Sequence, residues 1–216
     1  MPAHSPRAAG FLAVLASILA GAVSGAGERP STAAEILAAQ TPELRARLQE
    51  EGMVMLQEFG AGGEVYGGMI HALVMFERPR NEVLRMLIQS PRQTEFRPEL
   101  RRADLIEEYA SGHVVHYEMR MMFMKVEYRA RHGWDFEAGH VWWSLDPEVD
   151  NDMAVLEGRW ELFAHGPERT LARFGTRIDV GAALPAFLQD FATRKKLPEA
   201  MHNIRLWIES GGTFRP

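Results

Sequence analysis

Turn signals cut the chain at Ser111-Gly112, Ala138-Gly139, Asp146-Pro147, Asp150-Asn151-Asp152 and His165-Gly166-Pro167. The segments between them, 103–109, 113–120, 125–136, 140–145, 153–164 and 170–180, have strand composition. Only afterwards, from Pro185, does a long helical pattern begin. Phe187, Leu188, Phe191, Met201, Ile204 and Ile208 recur at mostly helical spacing, with Gln189, Asp190, Arg194, Lys195, Lys196 and Glu199 between them. A run of hairpin-linked strands needs a cover for its apolar face, and a one-sided helix at the end of the chain supplies one. The expected class is therefore α+β, with a single curved antiparallel sheet wrapped around a C-terminal helix. Pro198 falls within that helix and removes a backbone donor, which predicts a break near residues 194–197 and a grip in two parts, 185–196 and 198–209.

Alternation along the strands assigns the faces, because successive side chains point to opposite sides. Val126, Tyr128, Ala130, His132, Trp134 and Phe136 share the inward parity, opposite Lys125, Glu127, Arg129, Arg131 and Asp135. Ala172, Phe174, Thr176, Ile178 and Val180 share it in the last strand, and Leu156, Gly158, Trp160 and Leu162 in the strand before. This predicts one wet face and one covered face. The turn around Glu137-Ala138-Gly139 can hold two or three residues, which places either Trp142 or Trp143 opposite Trp134.

The first hundred residues add smaller elements. Two short helices are expected at 32–39 and 42–51, the second capped by Thr41 with Pro42 at its first position, both packing on the rim. A short lead-in strand over 53–58 precedes the turn Gly60-Ala61-Gly62-Gly63, which lacks the spacing of a dinucleotide fingerprint. A strand over 64–77 then leads through Arg78-Pro79 into one helix, and Ser90-Pro91 starts another. At the very start, Arg7 is followed by an apolar stretch with Phe11, Leu12, Val14, Leu15, Ile18 and Leu19, then small residues to Ala26. That layout predicts a signal peptide over 1–26 and a secreted or periplasmic protein. An uncleaved anchor is the alternative, although the stretch barely reaches the roughly 20 apolar residues a span requires. The remaining segments are a helical extension with the lead-in strand over 27–63, a main domain over 64–210 and a tail over 211–216.

With 216 residues the chain is one domain of ordinary size with an appendage. A formal charge of -5 argues against nucleic acid as a partner, and the lack of cysteine excludes disulfides, thiolate metal sites and cysteine nucleophiles.

Several local motifs resemble those of the START-like, or SRPBCC, superfamily of helix-grip proteins, which includes polyketide cyclases and lipid-transfer domains. They are Phe76-Glu77-Arg78-Pro79, Gly158-Arg159-Trp160-Glu161-Leu162, Gly181-Ala182-Ala183-Leu184-Pro185-Ala186-Phe187 and the late-helix run from Arg194 to Met201. The resemblance spans roughly residues 64–209. It implies a seven-stranded sheet with two short helices after the first strand and a hydrophobic cavity between sheet and C-terminal helix. Met121-Met122-Phe123-Met124 departs from the proline-containing loop of many relatives.

The resemblance implies no universal catalytic residue, so the cavity itself carries the functional reading. Its expected lining is Tyr117, Met119, Met121, Tyr128, His132, Trp134, Trp160, Phe174, Phe187, Phe191 and Met201. Aromatic rings with adaptable methionines suit a lipid-like or polycyclic ligand. A lipid cargo would bring transient contact with a membrane. No metal or cofactor is expected, since His113 and His116 stand three apart in a strand and face opposite ways. No catalytic residues are assigned, for want of a nucleophile elbow, phosphate loop or zinc helix motif. Three functions stay open: a carrier or sensor of a hydrophobic ligand, a cyclase or dehydratase using polar groups such as Tyr117, Tyr128, His132 or Thr176, and a protein-interaction module with a filled core. A cavity well below about 300 Å³ would favour the last. The oligomeric state is left open.

Overall fold

The computed structural model describes residues 32–56, 69–121, 124–180 and 191–216, which fall within one compact unit, Thr32–Pro216. The expected signal peptide, the glycine turn at 60–63 and the Gly181-to-Phe187 motif lie outside these residues.

Helix α1 (Ala33–Ala38) opens at a capping box, in which the Thr32 hydroxyl accepts from the Glu35 N–H and the Glu35 carboxylate accepts from the Thr32 N–H. Helix α2 (Pro42–Glu51) is capped by Thr41 and ends at Gly52, whose φ of 72° is left-handed. Strands β1 (Met53–Met55) and β2 (Ile70–Phe76) follow, then α3 (Arg80–Leu87) and a 3₁₀ helix, Ser90–Glu95. Six strands come next: β3 (Leu100–Tyr109), β4 (Gly112–Met121), β5 (Met124–Asp135), β6 (His140–Leu145), β7 (Val155–Ala164) and β8 (Thr170–Asp179). All strands join one antiparallel sheet of eight, in the order β1-β2-β8-β7-β6-β5-β4-β3. The middle of the sheet is a meander. Its closing pair joins the first third of the chain to the last, from Ile70 opposite Thr176 to Phe76 opposite Thr170.

The expected count of seven strands is one short, because the lead-in segment is part of the sheet. Without it β2 would present an open row of backbone groups. Met53, Val54 and Met55 pair with Val74, Leu73 and Ala72, and the Met75 N–H donates to the Gly52 carbonyl at 2.8 Å. The outer face also departs from expectation. Leu73, Met75 and Leu171 point away from the cavity side and pack with Ala33, Ile36 and Leu48 of the two N-terminal helices. Those helices thus form a layer over the back of β2 and β8, where the sequence reading placed them at the rim. Strand β2, Ile-His-Ala-Leu-Val-Met-Phe, is apolar at nearly every step because it is covered on both faces.

The chain ends with a π-helical turn, Ala192–Lys196, running into α4 (Leu197–Glu209). The widened turn sits where Pro198 predicts the break. Proline cannot donate to the preceding turn and its ring crowds the backbone four residues back, so the coil opens by one residue there. α4 buries Met201, Trp207 and Ile208 against Val74, Phe76, Trp160 and Phe174. Polar contacts pin it in place: the Asn203 amide donates to the Phe96 carbonyl at 3.1 Å and the Trp207 indole to Glu95 at 3.0 Å.

Candidate functional site: a cavity between sheet and C-terminal helix

The curved sheet and the C-terminal helix enclose a cavity of about 220 Å³. Strands β4 and β5 contribute Tyr117, Met119, Tyr128, Ala130 and His132; β6 to β8 contribute Val141, Trp143, Leu156, Trp160, Phe174 and Ile178. Phe191, Leu197, Ala200, Met201 and Ile204 close it from the helix. The volume lies below the roughly 300 Å³ at which drug-sized sites begin, but the space is open rather than filled by its own side chains.

Of the residues expected to line it, Tyr117, Met119, Tyr128, His132, Trp160, Phe174, Phe191 and Met201 do so. Met121 ends β4 and its side chain is not described; Phe187 lies outside the described residues. Trp134 is a correction. It has the inward parity and packs on the core, its ring edge-on to His113 at 5.2 Å, but it is not among the residues that line the cavity, although its cross-strand partner Val141 is. Neither Trp142 nor Trp143 therefore stands opposite it, because four residues, 136–139, turn the chain instead of two or three. Trp143 lines the cavity and stacks on Phe174 at 5.8 Å, whereas Trp142 lies on the outer face, 45% exposed.

Trp143 has room because its cross-strand partner is Gly158. A Cβ there would stand 2.3 Å from the indole and 2.6 Å from the Gly175 carbonyl. The glycine of the Gly158-to-Leu162 motif is thus a notch for a wall residue.

The polar groups form one connected chain along the wall. Ser90 Oγ lies 3.3 Å from His132 Nδ1, His132 Nε2 lies 2.9 Å from the Tyr117 hydroxyl, and the Gln93 amide donates to that hydroxyl at 3.4 Å. The Gln93 carbonyl oxygen accepts from Arg97 at 3.1 Å, and Arg97 pairs with Glu99 at 2.9 Å. Burial opposes the charge on Arg97, but Glu99 and its other neighbours more than offset it and its pKa is raised. Burial, and secondarily His113, lowers the His132 pKa to about 3, so its imidazole is neutral. Burial raises the Tyr117 pKa, as does neighbouring Tyr128, whose ring stacks on it at 5.0 Å. Thr176 spends its hydroxyl on the Glu157 carbonyl at 2.9 Å. Outside, Arg131 pairs with Asp146 and Glu148, as its parity predicts.

Sequence reading missed Ser90, Gln93, Arg97 and Glu99. They sit on the 3₁₀ helix and the loop after it, where no period of two or 3.6 marks an inward side. It also missed Arg120 and Lys196, further cations at the cavity.

No protein-family profile matches the chain, and no curated protein matches it in sequence. Solved structures do match in shape. A STAR-related lipid transfer protein from Xanthomonas axonopodis aligns with a TM-score of 0.58 at 9% identity, over 73% of this chain and 98% of that one. Human STARD10 aligns at 0.57 and 14%, over 78% and 80%. The Zhui aromatase/cyclase from Streptomyces sp. R1128 aligns at 0.55 and 12%, over 66% and 92%. With the strand order, the pair of short helices after β2 and a cavity under the last helix, these matches show that the chain has the START-like, or SRPBCC, helix-grip fold.

Proposed function

We propose that this protein binds a hydrophobic small molecule, lipid-like or polycyclic, between sheet and C-terminal helix, for transport or sensing outside the cytoplasm. The observation that carries the reading is the cavity: about 220 Å³ of space walled by Trp143, Trp160, Phe174, Phe191 and Met201. Such a wall offers dispersion contacts and water exclusion. The modest volume favours a compact molecule, or part of a chain, over a whole two-tailed lipid. Secretion rests on the leader-like composition of residues 1–26. Among the described residues no helix is long and apolar enough to cross a membrane.

The test is extraction and mass spectrometry of protein purified from its native compartment, beside an Ala130→Leu variant that fills the cavity. Ala130 lines the wall and is fully buried. One hydrophobic species retained by the natural protein and missing from the variant is expected. Nothing retained, together with no uptake of 1-anilinonaphthalene-8-sulfonate, would leave a filled interaction module as the better reading. The Tyr117–His132 pair favours a second function, a cyclase-type or dehydratase-type enzyme on a similar ligand. That reading requires turnover lost in Tyr117→Phe while ligand binding persists.

A further inference from the structure

Two heavy-atom contacts of His132, to Ser90 and to Tyr117, together with the burial of Ser90 point to one direction for the protons beside the cavity. Ser90 is 1% exposed, so its hydroxyl proton needs a protein acceptor. Its hydroxyl also stands close to Tyr117, but the one hydrogen bond of ordinary geometry it makes is with His132 Nδ1. Nδ1 is then the acceptor, and a neutral imidazole carries its single proton on Nε2. Nε2–H donates to the Tyr117 oxygen at 2.9 Å. On the other side Arg97 donates to the Gln93 carbonyl oxygen, which turns the Gln93 amide nitrogen toward the same phenol. The Tyr117 oxygen therefore accepts twice, and no hydrogen bond of ordinary geometry among the described residues takes its own proton, the nearby Ser90 oxygen being engaged with His132. Tyr117 is 2% exposed and lines the cavity beside Tyr128, Met119 and Ala130.

We propose that Tyr117 donates a hydrogen bond to an oxygen of the bound molecule, so that the cavity selects apolar ligands carrying a carbonyl or similar acceptor over hydrocarbons of the same shape. The inference rests on the apolar-ligand reading and deepens it by naming the ligand's polar group. A neutral phenol whose ionisation is suppressed by burial remains a donor across the physiological range. The Arg97 charge, relayed through Gln93, polarises the phenol further toward donation. An acceptor oxygen replaces an unmet hydrogen bond, whereas a hydrocarbon leaves the buried hydroxyl unsatisfied.

Fluorene and 9-fluorenone share one ring skeleton and differ in a carbonyl, so the pair separates the two readings. Titration of the natural protein should show fluorenone bound about threefold to tenfold more tightly than fluorene, the worth of one net hydrogen bond. The bound carbonyl stretch should move to lower wavenumber. Tyr117→Phe should bind fluorene at least as well and lose the preference. Equal binding of both compounds by the natural protein, or a preference that survives Tyr117→Phe, overturns the donor role and leaves the apolar site standing. Binding of neither overturns both. Should Tyr117→Phe not fold, Ser90→Ala serves in its place: releasing Nδ1 should shrink the preference. Nitrogen-15 spectra of His132 in the ligand-free protein give an independent readout. An Nε2–H pattern supports the proposal and an Nδ1–H pattern overturns it.

Discussion

His132 shows how burial and chemistry are tied at a single side chain. Its ring lies 7% exposed between His113, at 5.1 Å, and Tyr117, at 5.9 Å, and it stays neutral because burial, and secondarily His113, opposes the charged form. Unfolded, the same imidazole would protonate near its ordinary 6.5; folded, it resists until about 3. Between these values the unfolded chain binds a proton that the native one refuses, so this contribution is full above pH 6.5 and drains as the pH falls. The burial of His113 pushes in the same direction. From pH 7 to pH 5 the His132 share should be about 2 kcal/mol. Urea unfolding at the two pH values should show a loss of that order, and His132→Gln should recover most of it. An identical pH slope in the variant would place the acid sensitivity elsewhere.

At the scale of elements, the β6–β7 pair is where sequence and cavity meet. Gly158 and Trp143 lie opposite each other, and the strand interior tolerates a glycine there because a large ring occupies its missing Cβ. Gly158→Ala should force the indole into the cavity, costing about 1–3 kcal/mol by overpacking. It should also reduce uptake of a hydrophobic fluorescent probe more than it reduces stability. Unchanged probe binding with a shifted urea midpoint would mean that Trp143 can yield without narrowing the site. The same pair marks what was legible in the sequence. Alternation placed Tyr117, Tyr128, His132, Trp160 and Phe174 inward correctly, since a period of two is a property of the strand itself. It could not say which inward residues border open space and which fill the core, and Trp134, right in parity, belongs to the second group. Register was out of reach for a related reason. It depends on the four-residue turn closed by Gly139 at φ 74°, whose length composition alone does not set. The break before Pro198 was visible because proline's missing donor acts locally.

In the whole molecule, the sheet separates two apolar regions. One is the cavity side, with Phe76, Trp160 and α4; the other is the N-terminal layer of Ile36, Leu48, Leu73, Met75 and Leu171 on the far face. The sequence reading took the sheet to be wet on its outside because it judged faces strand by strand. It had no means of bringing α1 and α2 onto the nearby β2 and onto β8, more than a hundred residues further along the chain. The two regions should fail separately. Leu48 is 2% exposed, and Leu48→Asp buries a charge without a partner, so it should cost about 3 kcal/mol or more. Because Leu48 packs in the outer cluster, none of whose members lines the cavity, ligand affinity at a temperature where the variant is still folded should stay within about twofold, a change of under 0.5 kcal/mol. A large affinity loss would mean the outer layer shapes the cavity through the sheet.

The pairing of β2 with β8 carries a consequence in time. Residues 70–76 must wait for residues 170–176 to leave the ribosome before the sheet can close, and contacts so distant in sequence slow folding strongly. A chain that cannot complete its sheet until almost all of it has been made stays threadable through most of its synthesis.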